Sequence, residues 1–391
     1  MASERPILVV GAGIAGLALA LALARHGRSV TVLEARPGFA AAGAGIQLGS
    51  NAVRVLARLG VAERLRAKVG EPAALWVFDG RTARTLAQLP LGAWFAARHG
   101  APYWTVHRGD LHEALVAAAA AEPRIVLRTG YALASVREEA CHVLAKAQSG
   151  DSVAGAALVG ADGLWSVVRQ AIAPAVAPQF VGSTATRAVL AAEIAGPLAV
   201  PRVGLWLGAG ANVVHYPVRG GTEIAVVIIA REDWQAAGWD NRVEPDGALA
   251  RLAGFHSSLT EVLARARDYR KWSLYRLAPL PCWSRGRIGL IGDAAHPMLP
   301  HLAQGGALAL EDALVLGELL GAENANIAAS LRRFEAERRG RAASVEALSR
   351  RNGRLYQLDP PLAWVRDLAL RRLPGTWLIA GFDWLYGWRP N

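Results

Sequence analysis

Residues 7–34, ILVVGAGIAGLALALALARHGRSVTVLE, decide the fold. Ile7 to Val10 is a short apolar run rich in β-branched residues and reads as a buried parallel strand. A turn over Gly11 to Gly16 follows. Leu17 to His26 is an Ala/Leu helix stopped at Gly27, and Ser29 to Leu33 is a second strand closed by Glu34. The turn carries Gly11-x-Gly13-x-x-Gly16 with Ala15 inside it. Glycines at this spacing permit a tight bend, close approach of a pyrophosphate, and close packing of helix on strand. The helix N-terminus adds free amides and partial positive charge for phosphates. Glu34 is placed to accept from a ribose 2′-hydroxyl and to repel a 2′-phosphate. The unit is predicted to bind a dinucleotide through Gly11, Gly13, Ala15, Gly16, Glu34 and the adjoining Ala35 and Arg36. The bland alternative is a glycine turn that only packs a helix on a sheet.

Ile7 to Ala24 is also a nearly unbroken apolar stretch, long enough to raise the question of a membrane span or signal segment. The spaced glycines within it, and a lone Arg5 ahead of it, favour a buried strand and helix. Further along, Gly38 to Gly49 is a loop of small residues. Asn51 to Leu59 and Arg108 to Ala121 read as helices, the second with Asp110 as its expected cap. Arg124 to Ala147 reads as strands returning near Glu138-Glu139. From Val176 to Trp272 the texture changes to short strands, Val203 to Leu207, Asn212 to Val218 and Glu223 to Ala230, with a hairpin return at Arg219-Gly-Gly221. Arg287 to Gly292 is again a buried strand, followed by a helix from Gly305 to Leu320 and helical sequence from Leu331 onward.

The chain has 391 residues, 53% hydrophobic and 19% charged, which excludes a disordered tail. Cys141 and Cys282 cannot build a disulfide framework or a C-x-x-C metal site, so no metal is expected and a reducing, cytoplasmic setting is. The net charge of +11 comes from Arg rather than Lys and is dispersed. A concentration between Arg332 and Arg372 reads as a solvated helix face, with phosphate or membrane binding as the alternative.

Two later segments separate FAD from NAD as the resident dinucleotide. Ala157-Leu-Val-Gly160-Ala-Asp162-Gly163-Leu-Trp-Ser166-Val-Val-Arg169 and Ile288-Gly-Leu-Ile291-Gly292-Asp293-Ala-Ala-His296-Pro297 each end an apolar strand in an Asp–Gly or Gly–Asp pair. The second runs on through Pro300-His-Leu-Ala-Gln304-Gly305-Gly306 to Leu310-Glu311-Asp312-Ala313. In this order and spacing the motifs resemble the FAD-dependent aromatic hydroxylases of the p-hydroxybenzoate and salicylate hydroxylase type, over nearly the whole chain. The resemblance implies an α/β fold, a Rossmann-like FAD-binding domain of p-hydroxybenzoate hydroxylase type with an inserted antiparallel substrate sheet and a C-terminal helical segment. It places the FAD domain at 1–72, 98–175 and 273–325, the substrate domain at 73–97 and 176–272, and the helical region at 326–391. It also implies FAD contacts at Arg108 (in His107-Arg108-Gly109-Asp110-Leu111), Gln47, Asp162, Asp293, Gly305 and Gly306, with the adenine side near Gly130, Tyr131 and Ala132. Taken singly, Asp162 and Asp293 read as helix caps.

The sequence has no triad spacing, no H-E-x-x-H, no Cys/His cluster and no P-loop, so the hard chemistry belongs to the cofactor. The resemblance implies that NADH or NADPH reduces FAD, and that O2 then forms a flavin C4a-hydroperoxide which hydroxylates a small phenolic or aromatic-acid substrate. A phenol needs a base near neutral pH, and histidine is the usual choice. His215, in Val213-Val-His-Tyr-Pro-Val218, is the candidate by similarity to hydroxybenzoate 6-hydroxylases, with Gln304 beside it; a packed strand histidine is the alternative. Tyr216 is expected on the opposite sheet face in a structural role. His296 is expected to order the flavin loop, and His301 has a smaller claim to catalysis. Arg187, in Thr186-Arg187-Ala188, lacks the family's flanking aromatic and glycine, which leaves the substrate carboxylate's partner open.

A flavin halogenase is disfavoured because its Trp-x-Trp-x-Ile segment is absent. A membrane-peripheral quinone-precursor hydroxylase or a prenyl-chain flavin reductase is a closer rival, because Trp364, Trp377, Trp384 and Trp388 cluster near the C-terminus. Packing on the FAD domain or a homodimer contact is the preferred reading of those tryptophans, with no membrane and no nucleic acid as partner. An FAD-binding sensor is the non-enzymatic alternative.

Overall fold

The computed structural model describes residues 5–39, 43, 45–238, 240–323 and 325–390. The opening strand Ile7–Val10 lies at the centre of a six-stranded sheet. It pairs in parallel with Val30–Leu33 on one side and Ala157–Gly160 on the other. Ile288–Leu290 and Ile125–Arg128 extend the sheet in parallel, and Ser284–Arg285 closes one edge antiparallel. Strands buried on both faces carry the unbroken apolar runs seen in the sequence. The helix Ile14–Arg25 buries ten of its twelve residues, so it is apolar all round rather than amphipathic. Its partner is the helix Gly305–Gly321. Gly317 lets the two backbones approach closely, since a Cβ there would lie 2.4 Å from the Ala22 Cβ.

The second layer is an eight-stranded, mostly antiparallel sheet built from residues 74–90 and 179–276. One pair within it, Ala74–Asp79 with Arg202–Gly208, is parallel. Its last long strand, Tyr269–Arg276, continues four residues past the expected boundary at 272. Alternation along each strand divides the sheet into two faces. Val203, Leu205, Leu207, Tyr216, Val218 and Ala225 join the same continuous core as the six-stranded sheet. Trp206, Val213, Ile224, Val226 and Ile228 join a separate core on the far side, beneath the short helix Ser257–Leu263. We call these the near and far faces.

Two local expectations change. Asp110 does not cap the helix Arg108–Ala120; it sits in the first turn, where Arg219 donates to it at 3.3 Å across the domain junction. Part of the 38–49 loop, residues 40–42 and 44, lies outside the described residues. Gly45–Leu48 is a strand paired antiparallel with Trp104–His107. The long helix Ile327–Tyr356 and three shorter ones follow, and no described helix is long and apolar enough to cross a membrane. Gly317→Ala is expected to push the two central helices apart and cost about 1–3 kcal/mol in a urea unfolding titration, as overpacking does in a dense core.

Candidate active site

The glycine turn is built by close backbone approach. Gly11 has φ +99°, and a Cβ on it would lie 2.5 Å from the Ala161 carbonyl. A Cβ on Gly16 would lie 1.9 Å from the Gly11 carbonyl, whereas Gly13 faces open space. The helix behind Gly13 has no side-chain cap, so its first amides are available to an anion. Glu34 Oε2 accepts from the Ala12 amide at 2.8 Å and Oε1 from the Arg36 amide at 3.0 Å, which poises the carboxylate beside the turn. The Gly130 and Tyr131 amides donate to the Arg36 and Glu34 carbonyls, joining the two segments expected near an adenosine. Ala35 and Arg36 are exposed. The Tyr131 side chain points away, its hydroxyl donating to the Ala145 carbonyl, so only its backbone borders this turn.

Deeper along the cleft stand Arg108 and Asp293. Both side chains are solvent-accessible, yet both are surrounded by protein, which is the signature of a cleft wall. Enclosure lowers the Arg108 guanidinium, and Asp293 opposes the shift; enclosure likewise raises the Asp293 carboxyl, against His296 and Arg108. Asp162 Oδ2 caps the helix Val167–Ile172 by accepting from the Val167 and Val168 amides, while its Oδ1 is buried with no partner. This open, uncapped, glycine-lined cleft with a cation, an anion and a spare carboxylate oxygen fits a flavin dinucleotide.

A buried ionic lattice holds the far end together. Asp312 accepts from Arg338 Nε at 2.8 Å and from the Gly292 amide at 3.2 Å, and pairs with His296 Nε2 at 2.5 Å. Glu311 accepts from Arg338, from Arg341 and from Asn51 Nδ2, all within 2.8 Å. Asn51 Nδ2 also donates to Gln304 Oε1 at 3.0 Å. Burial alone would raise Asp312, but His296 and Arg338 hold it at about 2. Burial alone would lower His296, and Asp312 overrides it and raises it. His296 therefore ties the loop after the last parallel strand to Asp312. Glu311-Asp312 stands inside the flavin motif, but the motif alone assigns the pair no role. Two adjacent acids in an apolar helix are the available signal, since such acids are buried only with cations.

Gln304 precedes the helix Gly305–Gly321, behind Ala303 in a left-handed conformation with φ +53°. Gly306 passes close to Ile46, and Gly305 has only Met298 near it, 3.6 Å from where a Cβ would stand. Gln47 Oε1 accepts from the Tyr103 hydroxyl at 2.8 Å. The Tyr216 ring lies against Gly45, where a Cβ would approach it to 2.3 Å. The near face of the large sheet thus meets the segments carrying Gln47 and Gln304. Leu299 packs against the Ala185, Ile229 and Leu274 cluster of the same face, as do Val227 and Trp272. His301 lies against Gly353 and edge-on to Tyr356, and burial lowers it to about 4. Arg187 is buried with its guanidinium on Asp240 at 2.5 Å and over the Trp272 ring. At the C-terminus, Trp384 and Trp388 lie over Arg341 and Arg338, and Trp364, Trp377 and Trp384 are exposed.

His215 is the correction. It shares the far face with Val213, opposite Gly204 and 6.4 Å from the Trp206 ring centroid, fully buried. Neither ring nitrogen has a partner, and burial with Arg202 nearby lowers it to about 3. A one-residue change of parity turns a strand side chain to the other face, and here it turns His215 away from the cleft and Tyr216 toward it. Because the folded-state value lies below the ordinary 6.5, the unfolded chain binds the extra proton. Stability tied to His215 is complete above about pH 6.5 and lost as pH falls toward 3. His215→Leu is expected to remove about 2 kcal/mol of acid destabilisation at pH 5, read as a flatter melting-temperature profile, with hydroxylation coupling unchanged at pH 7.5. Arg338→Met, which takes a cation from each of two buried carboxylates, is expected to cost about 3–5 kcal/mol by chemical denaturation.

A family model described as an FAD binding domain matches residues 4–349. The chain is similar to 3-amino-4-hydroxybenzoate 2-monooxygenase PtnB3 of Streptomyces platensis, 37% identical over 391 residues, covering 99% of this chain and 97% of the relative. It is similar to 3-hydroxybenzoate 6-hydroxylase of Klebsiella oxytoca, 33% identical over 392 residues, covering 100% and 98%. Among solved structures, a salicylate hydroxylase substrate complex superposes with a TM-score of 0.83 at 27% identity, covering 100% of this chain and 97% of that one.

Proposed function

From its membership of the FAD-binding-domain family, to which the chain belongs, we infer an FAD-dependent aromatic monooxygenase that consumes NAD(P)H and O2 and hydroxylates a small phenolic acid. The observation that carries this reading is the uncapped glycine turn, with Gly292 close against its Ala15, and enclosed but accessible Arg108 and Asp293 acting on each other nearby. The relatives whose names give 3-amino-4-hydroxybenzoate and 3-hydroxybenzoate as substrates support a hydroxylated benzoate as the class.

In this reading residues 1–72, 98–175 and 273–325 form the FAD-binding part. Gly11, Gly13 and Gly16 admit the pyrophosphate to the helix N-terminus, with Ala15 packed beneath. Glu34 turns its carboxylate to the ribose, with Ala35, Arg36 and the backbone at Gly130–Tyr131 along the adenosine. Arg108, Asp162 and Asp293 hold the polar chain between the two ends, and Gln47, Gly305 and Gly306 border the ring system. When bound and reduced, FAD supplies the activated oxygen. The protein supplies position and dryness. Leu299, Tyr216, Val227 and Ile229 exclude water from the space above the ring. Gln304, held by Asn51 and through it by Glu311, turns its amide toward the substrate from a fixed point. A cytoplasmic homodimer belongs to the same proposal, on the support of two free thiols and an aromatic C-terminal segment.

The test is NADH and NADPH oxidation with O2 uptake across a panel of hydroxylated and aminohydroxylated benzoates, with identification of the products. Stimulated oxidation with a hydroxylated product is expected; a purified protein that takes up no FAD overturns the reading. Glu34→Ala is expected to weaken FAD by about 1.5–3 kcal/mol, the worth of a lost charged hydrogen bond, measured by flavin fluorescence titration. Gln304→Ala is expected to keep FAD and flavin reduction while releasing more peroxide and less product.

A further inference from the structure

With His215 on the far face, the strand Ala211–Val218 presents Asn212, Val214, Tyr216 and Val218 to the near face, opposite the loop that carries Leu299 and Gln304. Asn212 is the amide of that row and is 2% exposed. Its orientation is dictated by chemistry. Gln357, just past the helix Ile327–Tyr356, places one side-chain atom 3.0 Å from the Ile229 carbonyl and 2.9 Å from Asn212. A carbonyl oxygen only accepts, so that atom is the Gln357 nitrogen, and it donates to Asn212 Oδ1. Asn212 is thereby fixed with its oxygen occupied and its NH2 turned away, and no described residue accepts from that nitrogen.

We propose that Asn212 reads the substrate: its Nδ2 donates to the phenolic oxygen of the bound ring, and Gln357 is the positioning residue that keeps the donor forward. The proposal rests on the phenolic-acid reading above. A phenolic oxygen suits this row better than a carboxylate, because a buried carboxylate calls for a cation. The buried cation of this face among the described residues, Arg187, lies two strands away on Asp240 and Trp272, and the nearer Arg231 is half exposed and paired with Asp359. An amide cannot take the phenol's proton as an imidazole would. It instead lowers the energy of a negative oxygen by hydrogen bonding, and so selects rings that present an acceptor there.

The experiment titrates FAD-loaded enzyme with 3-amino-4-hydroxybenzoate and 3-hydroxybenzoate, and with the same rings lacking the hydroxyl, 3-aminobenzoate and benzoate, following the flavin absorbance change. Asn212→Ala is expected to weaken the hydroxylated acids roughly 10- to 100-fold and the deoxy acids less than about 3-fold. Asn212→Asp, the same shape with an acceptor in place of the donor, is expected to weaken the hydroxylated acids at least as much. Both variants must match the parent in FAD content and melting temperature, and Asn212→Ser serves in place of either one that does not. Equal losses on hydroxylated and deoxy rings, or unchanged affinity while the parent binds, overturn the role of Asn212 and leave the phenolic-acid reading intact. A parent enzyme perturbed by neither hydroxylated acid overturns that reading, and the proposal falls with it.

Discussion

Glu311 and Asp312 stand side by side, fully buried, in a helix otherwise built mostly of Ala, Leu, Val and Gly. Two carboxylates in that setting are tolerable only if cations and donors come to them. Arg338 and Arg341 come from the long helix, His296 and the Gly292 amide from the loop after the last parallel strand, and Asn51 from an early helix. Each partner is thereby fixed relative to the others. The loop bearing Asp293 and the residue Gln304 are both anchored to this one charge cluster, from opposite sides. The cleft's geometry is a by-product of satisfying the two acids.

The near face of the large sheet depends on that anchoring. Leu299 meets the Ala185, Ile229 and Leu274 cluster, and the 298–304 segment is held on the lattice side by Asn51. The Ser349 hydroxyl, donating to the Leu299 carbonyl, holds the other side. The sheet itself contributes alternation: a row of inward side chains, whose members are decided by parity alone.

The legibility of the sequence follows from how tightly each function constrains the backbone. Gly11 and Gly16 are readable because a Cβ on either would strike the backbone of the turn, and Glu34 because a carboxylate closing the second strand stands beside that turn. Asp162 is readable as a motif residue, and its capping bonds are the bland alternative that the structure displays. His215 is misplaced by sequence reasoning because a strand buried on both faces carries no polar alternation to say which face is inward. Asn212 and Tyr103 escape it, since an amide or a phenol inside an apolar run has no spacing signature. The Glu311–Asp312 lattice spans residues 51 to 341, and pairing at that separation leaves no local pattern.

The contacts of Ser50 and Arg54 have a consequence for how the chain is made. The Ser50 hydroxyl and the Arg54 guanidinium donate to the Tyr386 carbonyl, and Arg54 also reaches the carbonyl of Trp388. Trp388 in turn lies over Arg338, a member of the charge lattice. An early helix is therefore sealed by residues that leave the ribosome more than three hundred positions later. Throughout most of translation the nascent nucleotide-binding half is missing its last parallel strand and this cover. Such non-local closure slows folding. The half-made chain leaves the apolar helix Ile14–Arg25 without its partner, the helix Gly305–Gly321, for the whole interval.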